Sequence, residues 1–517
     1  MLSPIGGDYR RKVKTIDELC TAIGRFPRKN KVIMCHGVFD LVHPGHIRHL
    51  LYAKERCDLL VASLTADDHI TKAHYRPFVP QELRAINLAA LEMVDYVIID
   101  PNPTPIENIL RIQPDYFAKG YEYGGDGKVN QQTQQEIEAL RSYGGEVLFT
   151  PGDVVYSSSH LIDTQPPNLA LEKLLTLMEA EGIDFDGLRQ IIDTCEGARV
   201  HVVGDTIVDS LTYTTMIGGM TKTPTPSVRF ENRVDFIGGA AIVAKHLRAA
   251  GAEVTFSTVL GNDPLAEFVL EGLERDGIRC MPVIDQSRPT THKNAIVCED
   301  YRLLKIDTLD NRSISDSQAG QLAEQISTVA FDAIVFSDFR HGIFNRRTIP
   351  GLTKAIPAGV FRVADSQVAS RWGNILEFKG FDLITPNERE TRFALADQDT
   401  GIRPLAARLH EEAECKAVMM KLGDRGVLTC RIGKEGDPRS FFVVDSFAGR
   451  VVDAVGAGDA LLAYCTLSML ANRSEVAATI LGSMAAALEC EVDGNIPVTR
   501  SDVLGRINSV EKRSRFE

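Results

Sequence analysis

Lys31-Val32-Ile33-Met34-Cys35-His36-Gly37-Val38-Phe39-Asp40-Leu41-Val42-His43-Pro44-Gly45-His46 decides how the first part of the chain is built. Lys31 to Met34 is a short apolar run that stops at a glycine-containing loop. An amphipathic stretch, His46 to Arg56, follows the loop, and a second apolar run spans Leu59 to Leu64. Strand, loop, helix and strand in that order are the repeating unit of a parallel α/β sheet. The rhythm continues with Arg84–Met93 as helix, Tyr96–Ile99 as strand, Pro105–Arg111 as helix and Tyr116–Ala118 as strand. Gln131–Tyr143 then reads as helix, Glu146–Thr150 closes the sheet, and Tyr156-Ser157-Ser158-Ser159-His160 opens a last helix.

The whole chain has 517 residues, too many for one hydrophobic core. Four segments are expected. Residues 1–28 are an N-terminal extension and 29–163 a first α/β domain. Residues 164–197 are a linker and bridging helix, and 198–510 a larger α/β domain. Thr164-Gln165-Pro166-Pro167-Asn168 marks the linker, because paired prolines disfavour helix, and Leu169–Cys195 reads as one helical bridge. Hydrophobic residues make up 44% and charged residues 25%, the balance of an ordinary globular protein. The net charge of −13 excludes a sequence-wide basic field, so nucleic acid is not the expected partner. Ten dispersed cysteines form no C-x-x-C, which fits a reducing compartment. No apolar run reaches membrane-spanning length, and the first residues lack a secretory apolar core, so a cytoplasmic protein is expected.

The loop after the first strand has the chemistry of an anion site. Backbone N–H groups and the positive end of the following helix converge there. His43 and His46 add side-chain donors, and Gly45 leaves the backbone bare. Taken singly, either histidine could be a solvated turn residue. In this order, after strand and glycine loop, they point to phosphate. Residues 31–162 resemble the cytidylyltransferase-like nucleotidyltransferases, and within them the adenylyltransferase half of ADP-heptose synthases. The resemblance rests on the loop, Arg76-Pro77, Gln81-Glu82-Leu83-Arg84, Ala118-Lys119-Gly120-Tyr121-Glu122-Tyr123, Gly144-Gly145-Glu146-Val147 and Ser157–Ser159. It implies a Rossmann-like fold and catalytic roles for His43 and His46. It also implies nucleotide or phosphate contacts from Gly37, Phe39, Lys119, Ser157, Ser158 and Ser159, with Lys72 a further candidate.

Far along the chain stands Val452-Asp453-Ala454-Val455-Gly456-Ala457-Gly458-Asp459, followed by a small-residue helical stretch. Successive N–H groups at such a helix start cradle an anion. Asp459 at its edge can take the proton of an attacking hydroxyl. Residues 199 to about 498 resemble the ribokinase-like (PfkB) sugar kinases. The matching segments are Gly204-Asp205 with Asp209, Gly238-Gly239-Ala240-Ala241, Ser337-Asp338, Thr385-Pro386-Asn387-Glu388-Arg389-Glu390 and Lys421-Leu422-Gly423-Asp424-Arg425-Gly426. The resemblance implies Asp459 as base, with Gly456, Ala457, Gly458, Lys421, Gly423 and Gly426 on the nucleotide. Asp209, Gly238 and Gly239 would hold the sugar, and Asn387 and Glu390 would position magnesium through water. No G-x-x-x-x-G-K-[ST] is present, so a P-loop does not supply the phosphate site.

Three departures accompany this resemblance. Ile242 stands where the family has asparagine after G-G-A-A, Asp365-Ser366-Gln367 replaces Asp-Pro-Lys, and the two domains come in reversed order. The expected protein is a bifunctional enzyme that phosphorylates a sugar or sugar phosphate and then couples it to a nucleotide. It would use Mg2+, ATP as phosphate donor and ATP or CTP as nucleotidyl donor. It would meet small molecules rather than a membrane and act as a homo-oligomer. A different sugar or polyol with CTP, or one half serving as a non-catalytic ligand-binding module, remain open alternatives.

Overall fold

The computed structural model describes residues 9–70, 76–120, 131–150, 170–218, 226–299, 301–368, 375–431 and 440–514. Ser157–Ser159, Lys72, Tyr121–Tyr123 and the 164–168 linker lie outside them. The chain folds as two compact units that divide between Thr176 and Leu177.

In the first unit, β1 (Val32–Gly37), β2 (Leu59–Thr65), β3 (Tyr96–Asp100), β4 (Tyr116–Gly120) and β5 (Glu146–Thr150) form one sheet in the order 3-2-1-4-5. All four pairings are parallel. A parallel sheet is covered on both faces, so its central strand must be apolar on both. Ile33 and Cys35 enter one core with Leu50, Ala62 and Leu88; Val32 and Met34 enter the other with Leu19, Val61 and Phe117. The strand outlasts the apolar run because Cys35, His36 and Gly37 keep pairing with Ala62, Ser63 and Leu64. Helix α1 (Ile16–Ile23) starts on a Thr15–Glu18 capping box within the stretch expected to be an extension. Helix α2 (Pro44–Lys54) begins two residues before the expected His46, with Pro44 in its first turn. Helix α3 (Gln81–Ala89) also begins early, directly after Pro80, and ends four residues short of Met93. Helices α4 (Ile106–Ile112) and α5 (Gln131–Arg141) complete the layers.

The expected single helix Leu169–Cys195 is two: α6 (Ala170–Ala180) and α7 (Phe185–Thr194). Gly182 adopts φ +65 between them, and the Asp184 side chain caps the second by accepting from Gly187 N–H at 2.7 Å. The turn residues, not the apolar periodicity, decide the break. Arg189 of α7 hydrogen-bonds Asn508 of the C-terminal helix, and Arg500 reaches Asp193, so α7 packs within the second unit.

That unit holds a nine-stranded sheet. Its strands are β6 (Arg199–Gly204), β9 (Glu253–Gly261), β10 (Arg279–Asp285), β13 (Ala333–Asp338), β14 (Phe361–Ser366), β15 (Leu383–Ile384), β16 (Ala417–Lys421), β17 (Val427–Arg431) and β18 (Phe441–Val444). The order is 10-9-6-13-14-15-16-17-18, with direction reversing between β16 and β17. A separate four-stranded flap pairs β12 (Tyr301–Thr308), β11 (His292–Cys298), β7 (Thr206–Gly218) and β8 (Ser227–Gly239). The elements that matter below are α8 (Ala240–Ala249), α9 (Pro264–Arg275), α10 (Asp316–Thr328), α11 (Thr348–Lys354), α12 (Glu388–Leu395), α13 (Ile402–Ala413), α14 (Ala457–Asn472), α15 (Glu475–Cys490) and α16 (Arg500–Ser514). Helices α14 and α15 are buried nearly all round, which their apolar and small residues allow.

Candidate active sites

In the first unit the loop from Gly37 to His46 lies at the carboxyl end of the central strand, where open α/β sheets bind ligands. Phe39 holds φ +50, and its ring covers Gly37 and sits 5.1 Å from the His46 ring. His43 and His46 stack at 3.9 Å. His43 Nδ1 accepts the Gly45 N–H at 3.1 Å, so the ring proton of neutral His43 sits on Nε2. A Cβ on Gly45 would lie 2.9 Å from that ring, so glycine here makes room for histidine as well as for a ligand. Burial, with His43 and His49 beside it, pushes His46 down to about 4; burial also lowers His43. Both rings are therefore neutral near pH 7. His46 Nδ1 is buried without a hydrogen-bond partner.

The loop is locked from beneath. Asp40 accepts from Arg76 at 2.9 Å, Phe78 N–H at 3.0 Å and Val79 N–H at 2.8 Å. Arg84 is fully buried and ties Val38 O, Thr65 O, Val79 O and Asp67 together. Lys119 reaches the same strand ends, but its ammonium is engaged by Glu136 and by Thr133 at 3.0 Å. His36, not singled out from sequence, lies between Ser63 (3.0 Å) and Thr65 (3.2 Å), with Asp100 3.8 Å away. Burial pushes it to about 4.

In the second unit the site is assembled from several strand ends. Gly456 adopts φ +86 and caps α14 without a side chain, leaving the helix start bare for an anion. Asp459 is 8% exposed at that start, and burial, reinforced by Asp365, raises it well above the ordinary carboxyl range. Lys421, at the end of β16, pairs with Asp365 of β14 at 2.8 Å. A Cβ on Gly458 would lie 3.3 Å from the Lys421 ammonium, so the cation borders the cradle. Thr385 donates to the same Asp365 at 2.8 Å. Asn387 and Glu390 form a capping box, with Glu390 N–H to Asn387 Oδ1 at 2.8 Å and Asn387 N–H to Glu390 Oε2 at 2.7 Å. Burial pushes Glu390 up to about 7, with Lys421 opposing and Asp365 adding to the rise. Gly423 and Gly426 both hold positive φ, and a Cβ on Gly426 would meet Val444 O at 2.0 Å.

Gly238 lies against Asp209 because a Cβ there would fall 2.3 Å from Asp209 Oδ2. Asn495 donates to that carboxylate at 3.3 Å, and its Oδ1 faces Gly456, so one amide spans both sides of the site. Asp205 serves another end: it accepts the N–H groups of Phe339 (3.0 Å) and His341 (3.1 Å) and shapes the loop after β13. Of the departures, Ile242 is buried in α8, and Gln367 N–H donates to Asp338 O at 2.9 Å. Lys421 and Asn495 put a cation and an amide at the site from elsewhere. Neither Lys421's pairing nor Asn495 carries a local sequence signal, since their partners lie 56 and 286 residues away.

An N–H cradle closed by a buried aspartate, at the strand ends of a large sheet carrying a four-stranded flap, defines a sugar-kinase class of fold. The chain belongs to the pfkB family carbohydrate kinases, which it matches over residues 197–500, and residues 34–162 match the cytidylyltransferase-like family. The nucleotidyltransferase-like part therefore precedes the kinase part. The chain is similar to Bifunctional protein HldE of a Bradyrhizobium species, 27% identical over 332 residues, 63% of this chain and 66% of that protein. The match spans just under two thirds of that relative's length. It is also similar to D-beta-D-heptose 7-phosphate kinase of Bordetella bronchiseptica, 30% identical over 52% of this chain and 82% of that protein. The solved structure of phosphofructokinase-2 from Escherichia coli in complex with substrates and products shares the fold, with TM-score 0.51 and 18% identity, covering 61% of this chain and 100% of that one.

Proposed function

We propose that the chain is a bifunctional sugar kinase and sugar-phosphate nucleotidyltransferase that makes a nucleotide-activated sugar, with a heptose phosphate as the substrate its relatives' names suggest. The observation that carries the reading is Asp459, buried at a bare helix start with the Lys421 ammonium alongside. In the kinase step a sugar hydroxyl attacks the terminal phosphorus of ATP. Asp459 takes the hydroxyl proton, the new O–P bond forms and ADP leaves. In the transferase step an oxygen of the sugar 1-phosphate attacks the α-phosphorus of a nucleoside triphosphate and pyrophosphate leaves. His43 and His46 hold the triphosphate oxygens.

Glu390 and Asp365 offer hard carboxylate oxygens in the kinase site, and no group of three or more His, Cys, Asp or Glu converges as a cage among the described residues. Such a donor set suits magnesium, which keeps its waters and takes one or two carboxylates. Glu390 would hold it through water, with Asn387 fixing Glu390; bound there, it would screen charge on the phosphates. ATP is the proposed nucleotidyl donor. CTP is the alternative, since triphosphate contacts do not read the base. The substitutions Ile242 and Gln367 favour that alternative, a different sugar or polyol within the same reaction types. Exposed Phe230, Tyr301 and Leu304 on the flap support a homo-oligomer, and ten free cysteines fit a cytoplasmic setting. No described helix is long and apolar enough to cross a membrane.

The test incubates the chain with sugars, sugar phosphates and each of four nucleoside triphosphates and reads products by mass spectrometry. Phosphorylated sugar and nucleotide-linked sugar are expected. No ATP-dependent product from any sugar would end the kinase reading.

A further inference from the structure

Glu489, in the last turn of α15, stands directly against the start of α14. A Cβ on Gly456 would lie 2.7 Å from Glu489 Oε1 and 3.3 Å from Asn495 Oδ1, so two acceptor oxygens face one glycine. Asn495 turns its Nδ2 to Asp209, which leaves its oxygen on the Gly456 side. Glu489 is 1% exposed, and neither of its carboxyl oxygens has a hydrogen-bond partner among the described residues. No step of the kinase reaction uses this carboxyl.

The cations of this region are taken. Arg302 is paired with Asp453 at 3.1 Å, Arg506 with Glu491 at 2.6 Å and Lys421 with Asp365 at 2.8 Å. The other groups around Glu489 are acidic or neutral. Asp453, in the turn before α14, raises Glu489, and Glu489 in turn raises Asp459. Cys490 is a thiol pushed up by burial, and Asp493 is exposed. An ionised Glu489 would therefore meet no free cation. It would also compete with a phosphate for the same positive helix end.

Burial holds the proton on Glu489 up to about 8, with the Ile496 N–H opposing the rise from outside hydrogen-bond geometry. A neutral carboxyl is compatible with an anion site, and an ionised one works against it. Glycine makes the effect direct, because no side chain at 456 separates the carboxyl from the turn.

We propose that Glu489 is a positioning residue of the kinase site: protonated, it leaves the α14 start free to hold a phosphoryl group, and ionised, it expels that group. The proton goes to solvent, and no covalent bond changes. The proposal rests on reading the Gly456–Asp459 turn as the phosphoryl site and deepens that reading. Linkage gives it a signature independent of turnover. If ATP binds this site only when Glu489 is protonated, binding must take up a proton wherever the free protein has lost it.

The test titrates the full chain with ATP and Mg2+, without sugar, at pH 8.5. Calorimetry in buffers of different ionisation enthalpy counts the protons taken up. The phosphates of ATP are already ionised at that pH, so uptake belongs to the protein. About half a proton or more per chain is expected. Glu489→Gln, neutral at every pH, should take up none, and Glu489→Met serves as a second variant without the proton should the first not fold. Cys490→Ser should keep the uptake. Sugar phosphorylation reads the same group: kcat/KM for ATP should fall about tenfold from pH 7 to pH 9 in the native chain. In Glu489→Gln, normalised to its own value at pH 7, that fall should be absent. No uptake by the native chain would overturn the proposal, as would equal uptake or an equal alkaline fall in the Glu489 variants. Proton-linked ATP binding that is lost in the variants, with no sugar phosphorylated, would end the kinase reading and leave the role of Glu489 at the anion site standing.

Discussion

The nucleotidyltransferase-like loop carries neutral rings, whereas the kinase part gathers interlocked charges. His43 and His46 are neutral at pH 7 because burial depresses both. Each can lose its neighbour without stranding a charge. Lys421 feels Asp365, Glu390 and Asp459, and the Asp365 charge adds to the rise of both Glu390 and Asp459. The difference teaches where substitutions should stay local and where they should spread.

The largest effect is expected from Asp459→Asn. Removing a positioned base should lower kinase kcat by roughly 10²–10⁴-fold while pyrophosphate release stays within a few-fold of wild type. Kinase activity close to wild type would remove Asp459 from its role. His46→Ala should cut pyrophosphate release by about 10²–10³-fold and leave sugar phosphorylation alone, the scale of one lost oxyanion donor. Equal damage to both reactions would show that the two sites are not energetically separate. Lys421→Met should act on stability as well as rate. Asp365 would be left buried and unpaired, a loss of about 3–5 kcal/mol, seen as a lower denaturation midpoint of the second unit. An unchanged midpoint would mean that the charges are not interlocked.

A further effect, read as a pH dependence, concerns Glu489 of α15. It is 1% exposed, both its oxygens lack hydrogen-bond partners, and burial pushes it up to about 8. A carboxyl raised on folding from its ordinary value of 4.5 holds its proton more tightly in the native state. Its stabilising contribution is complete below 4.5 and declines as pH climbs to about 8. The melting temperature of the second unit should therefore fall across that window, and Glu489→Gln should flatten the fall. An identical pH profile in the variant would show that Glu489 ionises without cost.

Strand positions in the first unit were legible because both faces of a parallel sheet demand apolar residues, and Val32–Cys35 supply them. The cradle was legible because its chemistry is local, eight residues in a row. Arg84 was less so: a fully buried guanidinium reads as surface in a sequence, and only its four-way bonding explains it. The break between α6 and α7 hid behind continuous apolar spacing, although Gly182 and Asp184 mark it. The charges around Asp365 come from different strands, and no window of sequence brings them together. Ser157–Ser159 fall outside the described residues, so their role stays with the resemblance.

The reversal of direction between β16 and β17 has an evolutionary consequence. It places Lys421 and the Gly423–Gly426 turn on a single tight hairpin, closed by Leu422 N–H to Gly426 O at 2.8 Å and pressed against Val444 O. The turn cannot be lengthened or shifted without moving the ammonium at its base. A lineage that remodels this turn to admit another nucleotide therefore alters the phosphoryl-facing charge in the same step. On the proposed roles, donor preference and turnover should drift together among descendants of this chain, whereas sugar preference, which those roles assign to the separate flap, is free to diverge alone.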